Sequence, residues 1–195
     1  MKKALLPLVI CLSLLLTACG KNRGEEAFKA FSDRLSKTGS LSFTADVRAE
    51  YEHKTARFTL AYAEDGEGAR VTVLAPELIR GVSARVRPGS SVLEYDSVVL
   101  DTGALDSYGL SPLSSLPAAV RAMRTGHVEQ VWEEDGKTAV TLQPDDTLRC
   151  SVWFEKASMT PLRAELISDG RVKVYLEIHD WNEDGAPAPE PAPTE

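Results

Sequence analysis

The sequence predicts an α+β fold, a large curved antiparallel sheet accompanied by two or so helices. Three observations predict it. Strict apolar/polar alternation recurs in segment after segment, glycine-bearing turns separate those segments, and only two stretches carry the period of an amphipathic helix. No strand is divided from the next by a regular helical crossover, which disfavours a doubly wound parallel sheet.

The N-terminus is read first. Lys2 and Lys3 form a basic start, Ala4 to Leu16 is almost wholly apolar, and Thr17-Ala18 supply the small residues a signal peptidase needs. The apolar run is shorter than the roughly 20 residues of a bilayer span, so it reads as a secretion signal. Leu16-Thr17-Ala18-Cys19 resembles the bacterial lipobox, whose cysteine is lipidated on sulfur and becomes the new N-terminus. Residues 1–18 are therefore expected to be a lipoprotein signal peptide, Cys19 the lipidation site, and residues 19–24 a lipidated tether. Each buried methylene contributes about 0.8 kcal/mol, and two or more acyl chains hold firmly where one does not. The expectation is an extracytoplasmic protein moored to the cell membrane, or to an outer membrane where one exists. Gly20, in place of an aspartate, allows export to the latter.

Composition narrows the function classes. The 195 residues carry a formal charge of −7, more acidic still once Lys2 and Lys3 leave with the signal. That balance argues against nucleic acid and against general attraction to anionic lipid heads. Of three cysteines, Cys11 leaves with the signal and Cys19 is the lipid site, so Cys150 has no intramolecular partner. No later segment approaches 18 consecutive apolar residues.

The domain is expected over residues 25–182. In "EEAFKAFSDRLSKTG", Phe28, Phe31 and Leu35 share one helical face, with Glu25 and Glu26 at the positive dipole end and Gly39 as a stop. The period then changes to two. Leu41, Phe43, Ala45, Val47, Ala49 and Tyr51 alternate with polar residues, a strand with one wet face. The alternation recurs at Phe58-Leu60-Tyr62, Val71-Val73-Ala75 and Val82-Ala84-Val86. Asp65-Gly66, Pro88-Gly89, Asp135-Gly136 and Asp169-Gly170 supply turns between strands. A second helix is expected in "SSLPAAVRAMRTG", capped by Ser114 or Ser115, with Pro117 in its first turn, Leu116, Val120 and Met123 along one side, and Gly126 at its end. Strands follow over 128–133, 138–142, 148–154 and 162–167. In the last strand Val172, Val174, Leu176 and Ile178 face one way, and Arg171, Lys173, Tyr175, Glu177 and His179 the other. Residues 183–195, rich in proline, alanine and glutamate, are expected to be a disordered tail.

Two stretches carry a resemblance. "VWFEKASMTPLRAELISDGRVKVYLEIHDW", Val152 to Trp181, resembles the recurring hairpin of the LolA/LolB/LppX-like superfamily of lipoprotein carriers, with Pro161-Leu162-Arg163 after the turn and an Asp-Gly turn before a last alternating strand. "VLAPELIRGVSARV", with Val73 and Pro76 through Gly81, is a second and weaker match. At the same level the chain resembles lipoproteins of this fold that serve spore germination by partnering cell-wall enzymes. The resemblance implies a half-barrel of about ten strands, covered on its concave side by the helices, with an apolar cavity between them. Phe28, Phe31, Leu35, Phe43, Phe58, Leu116, Val120, Met123 and Phe154 then either line an acyl-chain pocket or form an ordinary core. Soluble carriers of the superfamily have no anchor. A lipidated chain favours a tethered lipid binder, a receptor for lipidated cargo, or a docking protein.

Catalysis requires a constellation that the sequence does not display. His53, His127 and His179 are far apart, and no His-Glu-x-x-His or Cys-x-x-Cys pattern occurs, so neither enzyme activity, a metal nor a cofactor is expected. Gly81 opens "GVSAR", which lacks the final glycine of a nucleophile elbow. Glu133, Glu134 and Asp135 read as a solvated hairpin tip, and Cys150 as a buried thiol. Trp153, Tyr175 and Trp181 fall by alternation on predominantly polar strand faces. Their rings either cover neighbouring strand stems or mark a partner surface on the convex face. Two functions follow: a membrane-anchored lipoprotein that binds a hydrophobic ligand or lipidated cargo in a concave cavity, or a non-enzymatic module that docks onto an envelope or cell-wall enzyme.

Overall fold

A computed structural model of the chain describes residues 19–65, 68–87, 90–95, 98–103 and 111–183. The signal expected over residues 1–18 and the tail beyond Glu183 lie outside the described residues, as do Gly66 and Pro88-Gly89. No helix among the described residues is long and apolar enough to cross a membrane.

Eleven strands form one open antiparallel sheet. They are β1 (Leu41–Glu50), β2 (Thr55–Asp65), β3 (Gly68–Ala75), β4 (Ser83–Arg87), β5 (Ser90–Tyr95), β6 (Val98–Gly103), β7 (His127–Glu134), β8 (Lys137–Gln143), β9 (Leu148–Glu155), β10 (Pro161–Ser168) and β11 (Arg171–Asn182). Their spatial order is β6-β5-β4-β3-β2-β1-β11-β10-β9-β8-β7. The chain meanders outward from β1 to one edge, crosses through helix α2 (Pro112–Thr125) to the other edge, and meanders back until β11 pairs with β1. That single crossover makes α2 the strap joining the two sheet edges, and it packs on the face already covered by helix α1 (Cys19–Leu35). The expected fold class, an antiparallel half-barrel with helices on one side, is the one observed.

Four local details differ from the sequence reading. Helix α1 takes in Cys19 to Leu35, so residues 19–24, expected to be a tether, are helical; a Cβ on Gly24 would meet Val131 Cγ1 on β7 at 2.8 Å, so that side chain would have to shift. Helix α2 is capped by Ser111, not Ser114 or Ser115. The Ser111 hydroxyl accepts from the Ser114 N–H at 3.2 Å and Pro112 takes the first helical position. Pro117 therefore lies inside the helix. The short strands β5 and β6, which end the sheet on one side with β6 at the edge, lie in a stretch where the alternation had singled out no strand.

The turns follow the sequence where they are described. Asp135 and Gly136, then Asp169 and Gly170, all take positive φ, as two-residue hairpins require. One core gathers the inward residues of β1 to β3 and β8 to β11 with both helices. Burial of each large side chain there contributes roughly 1.5–3 kcal/mol, and three such residues, Phe28, Phe31 and Leu35, fasten α1 to the sheet.

A polar clamp fixes the two helices to β2. Arg124 of α2 donates to the Glu64 carboxylate at 2.8 Å and to the Leu35 carbonyl at the end of α1 at 3.3 Å. Glu64 also accepts from the Tyr62 hydroxyl at 2.9 Å, and Ser32 donates to the Arg124 carbonyl. Burial, reinforced by the Glu64 charge, pushes the Tyr62 phenol well above its ordinary value.

Candidate functional site

Two surfaces compete for the functional role: the concave side under the helices, and the convex side of the central strands.

On the concave side, Phe28, Phe31, Leu35, Phe43, Leu116, Val120, Met123 and Phe154 are each at most 3% exposed. Phe58, at the margin, is half-buried and packs against this core. The rings touch one another. Phe31 lies 5.0 Å from Phe154 and 6.1 Å from Phe28, and Phe28 lies 5.8 Å from Phe154. Phe43 stacks on Tyr62 at 4.8 Å. Eight of the nine residues expected to line a pocket thus form close-packed core, with aromatic pairs at the separations that attract. Toward the β6 edge the covering thins, and Tyr95 and Val98 are 51% and 66% exposed.

Trp181 corrects the alternation. The sequence puts it on the polar face with Tyr175, Glu177 and His179, whereas its ring stacks on Phe43 at 5.0 Å and lies 6.3 Å from Phe31. The cause is a register shift between Ser42 and Thr44 in the β1–β11 ladder, where Asp180 takes a φ of +53°. One extra residue in β11 reverses the side on which the following side chain falls. Trp181 is therefore half-buried against the core and leaves the convex patch.

Trp153 and Tyr175 stay on the convex face, on two adjacent rows of cross-strand partners. The first row runs Trp132, Ala139, Trp153, Arg163, Glu177, Asp46, Thr59 across β7, β8, β9, β10, β11, β1 and β2. The second runs Thr141, Ser151, Glu165, Tyr175, Arg48, Arg57. Cations stack on rings along both. The Arg163 guanidinium sits 3.8 Å from the centre of the Trp153 ring, and Arg48 sits 3.9 Å from that of Tyr175. Trp132 meets Trp153 edge to face at 5.9 Å. Both indole N–H groups donate to the Glu134 carboxylate, at 3.1 Å and 2.9 Å, which hold that carboxyl below its ordinary value.

Trp153 is only 7% exposed under this cover, so it supports the patch from beneath. Tyr175, Arg48 and Arg57 form its outer surface, beside a groove of about 680 Å³ that also touches Thr59, Pro76 and Arg163. The alternation found Trp153 and Tyr175. It missed Trp132, Arg48, Arg163 and Glu134, although a tryptophan three residues before an Asp-Gly turn, with a glutamate directly before that turn, was the available signal.

The remaining chemistry is sparse. Burial pushes the Cys150 thiol up to about 12, with the Glu165 charge adding to it, so at neutral pH it is a protonated, poor nucleophile. Glu133 pairs with Lys156 at 2.8 Å, as a hairpin-tip acid does. Asp46, Glu177 and His179 bring one ligand atom each within 4.8 Å of one another on the convex face.

In architecture the chain is an open antiparallel half-barrel with two helices packed on one face. It is similar to the LolA superfamily protein of Nitrosomonas europaea, at 12% identity over 82% of this chain and 94% of that one, with a TM-score of 0.49. It is also similar to a chain from the complex of the CwlD amidase with the GerS lipoprotein of Clostridioides difficile, at 14% identity over 81% and 94% of the two chains, TM-score 0.44. The Mycobacterium tuberculosis lipoprotein LppX is similar at 13% identity over 80% and 94%, TM-score 0.36. No protein-family model and no curated protein matches the sequence. These likenesses concern the course of the chain and bring no activity, ligand or partner with them.

Proposed function

We propose that this chain is a lipid-anchored, non-enzymatic docking module that presents the convex face of its central strands to another protein of the cell envelope. One observation carries the reading. Eight of the nine residues available to line a concave pocket are buried in the packed core, whereas the convex face holds a supported row of aromatic and arginine side chains around a groove. Tyrosine and arginine over a rigid sheet are the residue types that dominate protein interfaces. The acidic charge of the chain as a whole leaves nucleic acid out of account.

Anchoring rests on Cys19. Palmitate incorporated into the wild type and not into Cys19→Ala supports the tether, and equal incorporation in both removes it. For docking, a photoreactive residue at Tyr175 should cross-link to a discrete envelope protein, and Arg48→Glu with Arg57→Glu should abolish the product at unchanged melting temperature. Persistence of the product in that double variant, or none at Tyr175, defeats the reading.

A second reading, a concave site for an acyl chain or lipidated cargo, draws on Tyr95 and Val98, which remain exposed beyond the cover of the helices. Native mass spectrometry of the purified chain separates the two. Co-purifying acyl lipid favours the second, and a ligand-free chain with a stable protein partner favours the first.

A further inference from the structure

We propose that Asp46, Glu177 and His179 form a surface site for a divalent transition-metal ion of the Zn²⁺ class, on the convex face of β1 and β11. The backbone brings the three together. Asp46 and Glu177 are direct cross-strand partners, and His179, two residues beyond Glu177, emerges on the same side just before the bulge at Asp180.

The electrostatics ask for a cation. Two carboxylates face each other across one antiparallel pair, an arrangement that repels. Arg163 is the partner of Glu177 on its other side, yet its guanidinium is turned to the Trp153 ring at 3.8 Å and to Glu165 at 3.2 Å. Arg48 is likewise engaged, with Glu50 at 3.1 Å and the Tyr175 ring. Among the described residues no lysine or arginine pairs with Asp46 or Glu177, and the one basic group in contact is the imidazole itself.

The donors also suit the ion. His179 Nε2 lies 3.3 Å from Asp46 Oδ2, close to the spacing of about 3.4 Å that two ligands adopt around a tetrahedral ion with bonds near 2.0–2.1 Å. The Thr59 hydroxyl donates to the other Asp46 oxygen at 2.8 Å and orients the carboxylate from behind. Glu177 is exposed, and its carboxylate oxygen lies within 4.8 Å of the other two ligand atoms. An imidazole nitrogen with two carboxylates selects Zn²⁺, Co²⁺ or Ni²⁺ over Mg²⁺ and Ca²⁺. Three protein ligands leave coordination positions open toward solvent, at the margin of the groove.

Calorimetric titration of the chelator-stripped full chain in detergent with Zn²⁺ tests this. One saturable site per chain is expected, weakened about ten-fold or more by His179→Ala and by Glu177→Gln. It should be retained in the His53→Ala/His127→Ala double variant. Co²⁺ should give a visible absorption band in the wild type that is lost in His179→Ala. Absence of saturable Zn²⁺ binding, or a site that survives His179→Ala or disappears in the double variant, overturns the proposal.

Discussion

The indole of Trp181 stacks on the ring of Phe43, with centroids 5.0 Å apart and planes inclined by 28°, and so joins the last residues of β11 to the inner face of β1. Two residues earlier, His179 points outward. The bulge between them predicts opposite consequences for neighbouring substitutions. Trp181→Ala should destabilise by roughly 1.5–3 kcal/mol through the ring packing on Phe43 and Phe31 that it loses. His179→Ala should change stability by less than about 0.5 kcal/mol. Urea unfolding of the two variants measures both, and equal midpoints would place Trp181 on the outer face after all.

Gly126 ends α2 for a steric reason. Its φ of −67° is open to any residue, but a Cβ would lie 2.5 Å from the Ala122 carbonyl oxygen and 3.1 Å from Leu142 Cβ. That carbonyl accepts the Gly126 N–H at 2.8 Å, so it cannot withdraw without losing the bond that closes the helix. Gly126→Ala should therefore cost about 2 kcal/mol, read as a lowered melting temperature. Gly39→Ala, with nothing within 4 Å of the added carbon, serves as the neutral control.

The buried phenol of Tyr62 predicts an alkaline limit to stability. Its folded-state value is raised well above 10.0, by burial first and by the Glu64 charge second. The folded state therefore holds the proton more tightly than the unfolded chain. The corresponding stability is complete below pH 10 and is lost as pH rises beyond it. Denaturant unfolding at rising pH should show a decline that is shallower in Tyr62→Phe, and an unchanged slope would refute the assignment.

Glu183 sets a limit at the acid end. Burial raises its carboxyl, but the Arg34 guanidinium at 2.6 Å and the Trp181 N–H at 3.0 Å outweigh that and hold it below the ordinary 4.5. A lowered folded-state value means stability that is present above about 4.5 and lost as pH falls through the folded value. Arg34 is half exposed, so the pair contributes about 1 kcal/mol or less. Glu183→Gln should lower the neutral-pH midpoint slightly and flatten the acid limb of the pH profile.

Much of this architecture was legible in the residues themselves. Leu41 to Ala49 alternate because one face of β1 is packed and the other wet, and Phe28, Phe31 and Leu35 follow the helical period because they dock on that packed face. Asp135-Gly136 and Asp169-Gly170 announced their hairpins through the backbone angles they adopt. These are local signals, and each is written within one or two turns of chain. The weak alternation of Ser90 to Gly103 concealed the last two strands on that side of the sheet, since strands at and next to an edge bury too little to need a regular pattern.

Tertiary structure decided the rest. Alternation assigns a face only while the ladder stays in step, so the shift opposite Ser42 moved Trp181 against the core without any mark in the adjoining sequence. Whether the aromatic residues enclosed a pocket or filled it depended on rings contributed by α1, β1, β9 and β11, which are remote in the chain and adjacent in space. The apposition of Asp46 with Glu177 and His179 arose likewise, from the pairing of the first strand with the last. Period and turn chemistry are properties of neighbouring residues, whereas packing density and cross-strand partnership belong to distant segments once they meet. That is why the sequence determined the elements and their wet and dry faces, and only the fold decided what those faces enclose and display.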